Sequence, residues 1–380
     1  MAAQFLFFSH GNYMETSSSL VSTPAPFTLP RKVFVFNGSM NDDMDDFIDF
    51  IKEFLQLNVG NNRPLLIRAT SSGGIPEQIF SLCGLLRQVR AEGHEVTVHV
   101  LGQLCNFTYA VAAAATRIII EPTASFVFSQ PFLEKGGTIS SIESYLDYQD
   151  TLFEKLVKAI CQRSGGKVDE ATVRSWQPKL ITAQEALELG LVDEVLPMPQ
   201  ALVKASHLLE QSIRFNGPFT SGEVFEKAVF LNNWLEDPSN AGRPLRLYLT
   251  SVGGTVVQAL SLFGMFCEAQ RQGHHLTIHV IGQAYSCAIW FPVCALYSGT
   301  VLIDGQATLM FHQPSREQVS GYLNEIRVKL AVDKALFAQT CALLCTVKGI
   351  NQRLVDRWAN GHDRYISANE AAELGLGQLV

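Results

Sequence analysis

The feature that most constrains this chain is that it contains itself twice. PLLIRATSSGG, ending at Gly74, returns 180 residues later as PLRLYLTSVGG, ending at Gly254. At the same offset GHEVTVHVLGQ, from Gly93, is matched by GHHLTIHVIGQ, from Gly273. FSQP at Phe128 then pairs with FHQP at Phe311, and AQEALELGL at Ala183 with ANEAAELGL at Ala368, the offset having drifted to 185. A period this long means two copies of a whole domain, because solenoids repeat every 20–50 residues or so. The copies are expected over 31–197 and 212–380, with 198–211 as a short helical connector. Residues 1–30, rich in Ser, Thr and Pro, read as a flexible tail.

Within a copy, short β-rich runs alternate with helical ones. LRLYLTS and LTIHVIGQ read as strands, and TVVQALSLFGMFCEAQRQG between them has helical apolar spacing with a glycine stop. SCAIWFPVCAL reads as helical, TVLID and ATLMFHQP as strands joined at Asp304-Gly305. A long helix is expected from about Val319 to Val347, and a shorter one at ANEAAELGL. Repeated β-α units predict an α/β fold with a parallel sheet flanked by helices. The apolar positions of the long helix, including Leu330, Ala335, Leu336 and Leu344, are read as packing, and the helix itself as a docking element between subunits.

Composition narrows the functional classes. Charged residues are 17% of the chain and hydrophobic ones 47%, against about 25% charged in a typical soluble domain. That excludes a disordered chain and points to surface hidden by self-association. The net charge of -7 argues against a nucleic-acid partner, which selects a basic face. No apolar run approaches the roughly 18 residues of a membrane span, and MAAQFLFFSHGNY lacks the basic start of a signal peptide. The eight cysteines form no C-x-x-C pair and are read as reduced, with the protein in the cytoplasm.

Three residues of the second copy could carry chemistry together. Ser286, in GQAYSCAIW, follows a strand and opens a helix, where helix N–H groups stabilise negative charge; alone it would be an N-cap. His312, in MFHQP, ends a strand, and alone would be a hydrogen-bonded structural histidine. Asp363, in GHDRYIS, precedes the last helix, where aspartate commonly caps or is solvated. Taken together they supply a nucleophile, a base and an orienting carboxylate. Gly253-Gly254 lets backbone approach a substrate and offers an N–H to an oxyanion. In the first copy these positions hold Asn106, Ser129 and Pro178, none able to play the corresponding part. One chemically active copy beside one structural copy is therefore expected.

Both copies resemble the Clp peptidase family along nearly their whole length, through SxGG, GQxxS at Ser286, FHQP at His312 and HDRYISAxEA at Asp363. The resemblance implies a Clp-peptidase/crotonase-like β-α spiral, with the long helix as the handle through which rings associate. It implies a Ser286–His312–Asp363 triad, an oxyanion hole from the N–H groups of Gly254 and Cys287, and no cofactor. Substrates would be unfolded polypeptides or peptides held in an oligomeric chamber, a homo-oligomer or a mixed ring with related subunits. The sequence departs from the family at Ala288, where glycine is usual, and at Gly361-His362, where an acidic residue and an arginine stand.

Two other readings belong beside it: a catalytically silent assembly subunit in which Ser286 only caps a helix, and a crotonase-type acyl-CoA enzyme on a related fold. The latter would leave the His312 and Asp363 matches unexplained. No G-x-x-x-x-G-K-[ST] is present, so an ATP-driven step would need a separate AAA+ unfoldase. His275 and His279 share a strand face, but no Cys, Asp or Glu completes a metal set, and none is expected to bind there. If both copies of a chain share one ring, that ring holds an even number of lobes.

Overall fold

The structure is a computed structural model and describes residues 32–40, 44–128, 139–176, 179–199, 208–313, 323–359 and 362–380. The expected tail, Ser129, Pro178, Gly361 and most of the connector lie outside the described residues.

The first lobe runs β1 (Lys32–Ser39), α1 (Met44–Leu57), β2 (Leu65–Gly73), α2 (Pro76–Ala91), β3 (Val96–Cys105), α3 (Tyr109–Ala113), β4 (Arg117–Ile120), β5 (Ser125–Phe128), α4 (Ile139–Arg163), α5 (Glu170–Ser175), β6 (Lys179–Thr182), α6 (Ala183–Glu188) and β7 (Glu194–Val195). The second repeats it: β8 (Gln211–Asn216), α7 (Ser221–Glu236), β9 (Leu245–Ser251), α8 (Val256–Arg271), β10 (Leu276–Tyr285), α9 (Trp290–Ser298), β11 (Thr300–Ile303), β12 (Thr308–Phe311), α10 (Leu323–Leu344), α11 (Gln352–Trp358), β13 (Arg364–Ser367), α12 (Ala368–Glu373) and β14 (Gln378–Leu379). Among the described residues each lobe has a seven-stranded sheet, parallel except for the β5–β6 and β12–β13 pairs. β3 and β10 are the central strands, each bonding three neighbours.

The repeated motifs have local physical reasons. Gly93 and Gly273 follow α2 and α8 at φ +94° and +89°, a helix-ending conformation that costs glycine little. The histidine after each anchors the turn: His94 Nδ1 lies 3.0 Å from Arg63 O, and His274 Nδ1 lies 2.9 Å from Arg243 O. Before the closing helices, Thr182 and Ser367 accept the N–H of Glu185 and Glu370, the start of a capping box in both lobes.

One strand differs between lobes in an informative way. β9 alternates buried and half-buried residues, as a strand covered on one face should. Its counterpart β2 is buried at seven consecutive positions. The reason is that α7 and α8 of the second lobe lie across the outer face of the first lobe's sheet. Leu101 of β3 belongs to the second lobe's apolar core. A Cβ added at Gly264 of α8 would stand 3.0 Å from Leu101 O, and one at Gly102 would stand 3.2 Å from Val257 O, so both glycines permit the close approach.

Charges cross the same contact. Arg68 is wholly buried and meets Asn232, Glu236 at 3.2 Å and Glu268 at 3.8 Å. Arg271 binds Glu121, Glu268 and the Pro197 carbonyl, while His99 Nε2 lies 2.8 Å from Glu121. Burial alone would push the Glu268 carboxyl up. His99, Arg68, Gln272 and Arg271 outweigh it and hold the group at about 2.

The long helix runs over Leu323–Leu344 among the described residues, ending before the expected Val347, while its expected start near Val319 lies outside them. Leu336, Leu343 and Leu344 pack into the core, but Leu330 is half exposed and does not belong to the packed stripe. At about 1.5 Å per residue the described helix is some 33 Å long. Its counterpart α4 behaves alike, with Leu152, Leu156, Val157 and Ile160 buried and Leu146 and Tyr148 exposed.

Candidate active site

The site forms where β10 and β12 end and β13 begins. β10 stops at Tyr285, and the chain enters a single 3₁₀ turn, Ser286–Ile289, that continues into α9. Making this corner requires φ +57° at Ser286, a conformation that costs most side chains about 1–3 kcal/mol and recurs where strain serves function. Two glycines clear the space in front of it. A Cβ at Gly253 would lie 2.6 Å from Ser286 Cβ, and a Cβ at Gly254 2.6 Å from Phe219 N. Phe219 fixes this segment from both sides, its N–H donating to Gly253 O and its carbonyl accepting from Thr255 N–H.

His312 and Asp363 are brought together by strand register. β12 and β13 are antiparallel with Phe311 opposite Arg364, so the next residue of one strand and the preceding residue of the other face each other. His312 Nδ1 lies 3.5 Å from Asp363 Oδ1. The other imidazole nitrogen, Nε2, lies 2.7 Å from Ser286 Oγ, hydrogen-bonding distance for a hydroxyl donating to nitrogen. The histidine's segment is held behind by Phe311, whose ring packs on Phe337 and Trp358, and ahead by Gln313, whose amide donates to Ala359 O at 2.5 Å. The histidine is largely covered, with a side-chain exposure of 21%, whereas Asp363 is half exposed at 51%.

Cys287 follows Ser286 and is buried. Burial pushes its thiol up to about 12, against the opposing pull of the backbone N–H groups of Cys287 and Gly254. The sulfur is therefore protonated and donates to Gly254 O across 3.7 Å. Ala288 is fully buried in the same turn.

In the first lobe Asn106 occupies the corner after β3, at φ +51°. Among the described residues Asn106 and Ser286 alone, apart from glycine, have positive φ. Ser129 and Pro178, the other first-copy positions, lie outside the described residues.

The histidines weighed as metal ligands stay apart. His275 Nε2 lies 3.1 Å from Thr300 Oγ1, and His279 packs against the Tyr248 ring. A different trio, His99, Glu121 and Glu268, does bring its ligand-type atoms within 4.8 Å of one another. Sequence reading missed it because its members come from different copies; the available signal was an arginine and a histidine inside otherwise apolar strands. The guanidinium groups of Arg68 and Arg271 stand against its carboxylates and provide the positive charge an ion would bring.

No helix among the described residues is long and apolar enough to cross a membrane. A family model described as Clp protease matches the chain twice, over residues 27–199 and 206–380. With nearly the whole length matched in two tandem copies, on an α/β fold consistent with that family's β-α spiral, the chain belongs to the Clp protease family.

Proposed function

We propose that the second lobe is a serine endopeptidase and that the first serves structure. The observation that carries this reading is the 2.7 Å contact between Ser286 Oγ and His312 Nε2 at a strained strand-to-helix corner. In the mechanism this supports, His312 takes the serine proton as Oγ attacks a peptide carbonyl. Asp363 orients the imidazole and stabilises the imidazolium, and the N–H groups of Gly254 and Cys287 receive the developing oxyanion. His312 then gives its proton to the departing amine, leaving an acyl-enzyme that water hydrolyses by the same steps in reverse order. The high pKa of the Cys287 thiol keeps a second anion away from that oxyanion.

The Clp protease family forms oligomeric rings. We place this chain in such an assembly, in the cytoplasm, with unfolded polypeptides or peptides as substrates and a separate AAA+ unfoldase supplying any ATP-driven step. All eight cysteines are free, in keeping with a reducing compartment.

The test is covalent labelling by a fluorophosphonate alongside hydrolysis of a fluorogenic peptide. Wild type should label at Ser286, and Ser286→Ala should lose both label and turnover, by several orders of magnitude for the latter. A Ser286→Ala chain that hydrolyses peptide at the wild-type rate overturns the assignment.

A further inference from the structure

The first copy is three residues shorter than the second at one corner. The offset between the copies is 180 where Thr97 matches Thr277, and 183 where their strand partners Arg117 and Thr300 match. The loss falls on the helix between the paired strands: α9 has nine residues, Trp290–Ser298, and α3 only five, Tyr109–Ala113. In the second lobe the longer helix closes against the C-terminal part of α8, where Cys267 and Gln270 are buried. Cys267 Sγ lies 3.5 Å from Cys294 Sγ, and Gln270 Nε2 donates to Cys294 O at 3.3 Å.

At the same place the first lobe holds an open cavity of about 680 Å³, lined by the end of α2 and by Thr116 just before β4. The positions of Cys267 and Gln270 are taken by Arg87 and Arg90, both exposed and both part of the cavity wall. Arg90 Nη1 donates to Ala114 O at 3.0 Å, the bond that Gln270 makes to Cys294 O in the second lobe. That contact uses one of the five guanidinium N–H donors and holds the group at the wall. Among the described residues no carboxylate pairs with Arg87.

We propose that this cavity binds a small oxyanion carrying two or more negative charges, of phosphate or carboxylate chemistry. The planar guanidinium fork matches either group, two donors to two oxygens. Acceptors that would compete for it are already occupied. At the end of α2 the Gln88, Val89 and Arg90 carbonyls accept from the N–H groups of Glu92, His94 and Gly93, and the Glu92 carboxylate accepts from the Gln88 amide. Glu95 alone brings a carboxylate to the lining, so the two guanidinium groups leave the cavity positive. Thr116 Oγ1 accepts from Val96 N–H, which leaves its O–H as a further donor.

The lining also limits what the ligand can be. It carries no Phe, Tyr or Trp, so nothing there would hold a nucleobase by stacking. Its volume falls in the range of small-molecule pockets. A bound anion would bridge the end of α2 to the α3–β4 corner, the two parts that the extra turn of α9 joins directly in the second lobe. It would thereby stabilise the first lobe. The site lies in the lobe without a nucleophile, and the inference is independent of whether Ser286 is catalytic.

The experiment is isothermal titration calorimetry of inorganic diphosphate and, separately, of citrate into the full chain at physiological ionic strength, with thermal melting alongside. Wild type should bind one anion per chain with a Kd below about 1 mM, and the anion that binds should raise the melting temperature. The two titrations tell phosphate from carboxylate chemistry. Arg87→Ala removes an exposed side chain, and Arg90→Gln installs the second lobe's residue with its carbonyl contact. Each should weaken binding at least about tenfold and remove most of the melting shift. Arg353→Ala, at an exposed arginine of α11, is the control and should bind as wild type does. Arg87→Ala carries the test by itself if Arg90→Gln melts early without ligand. Failure of wild type to bind either anion, or binding by Arg87→Ala within about twofold of wild type, overturns the proposal.

Discussion

Replacing Gly253 by alanine tests the geometry of the site without touching any group proposed to react. The new Cβ would stand 2.6 Å from Ser286 Cβ and 2.9 Å from Tyr285 O, where ordinary contacts begin near 3.4 Å. Since φ at this position is +94°, alanine also carries about 1–2 kcal/mol of backbone strain. Relief requires the two segments to part by close to 1 Å, and the serine is the nearer moving part. Its 2.7 Å contact with His312 would then exceed hydrogen-bonding distance, and a 1 Å misplacement of reacting groups costs on the order of 100-fold in rate. We expect kcat/KM for a fluorogenic peptide to fall about 100-fold, roughly 2.7 kcal/mol in the barrier, with fluorophosphonate labelling slowed in parallel. Gly222→Ala is the control, because a Cβ there meets nothing within 4 Å, and it should leave activity unchanged. Labelling of Gly253→Ala within twofold of wild type would refute the claim that this glycine sets the position of Ser286.

The first lobe's corner gives a stability prediction: Asn106→Val puts a β-branched residue at φ +51° and should cost about 1–2 kcal/mol in urea unfolding while leaving Ser286 labelling unaltered. Acid should loosen the contact between the lobes. Glu268 is held at about 2 in the folded chain against an ordinary 4.5, so the unfolded chain binds more protons between those values. The stabilisation is fully present above pH 4.5 and is lost as pH falls towards 2, on the order of 3 kcal/mol in all. Urea titrations between pH 7 and pH 3 measure it, and an unchanged pH slope in Glu268→Gln would contradict the assignment.

The repeat and the order of strands and helices were legible in the sequence because they rest on local pattern, whereas Ser286, His312 and Asp363 stood out through their joint chemistry, their difference from the first copy and the family resemblance. Strand periodicity and the GH and EAxELGL endings locate the elements, and the register of one antiparallel pair brings His312 opposite Asp363. Leu330 is half exposed within the single chain, since an apolar residue at helical spacing does not by itself show where the lobe's own body ends. The lobe contact was not legible at all. Arg68 sits within an apolar strand and its carboxylate partners lie on helices of the other copy, and Glu121, which meets His99, is paired with Arg271 of the other copy 150 residues away. Only the accumulated geometry of two sheets brings those side chains together, and no periodicity within either copy encodes it.

Comparison of Asn106 with Ser286 separates what the fold requires from what the chemistry uses. Both residues end a central strand, both open a 3₁₀ turn, and their φ angles differ by only a few degrees. If the strained corner existed for the sake of a nucleophile, the copy without one would be free to relax it. It has not relaxed: Tyr109, Ala110, Val111 and Ala112 of the helix that follows are buried against the sheet, and the corner is what directs that helix there. Asparagine is among the few non-glycine residues that tolerate this conformation readily, so the first lobe keeps the turn at lower strain. Serine at the same corner in the second lobe is the less comfortable choice for stability. The fold thus imposes a half-buried, left-handed corner at the end of its central strand in both lobes, and a hydroxyl placed there is positioned by the backbone rather than by the histidine beside it.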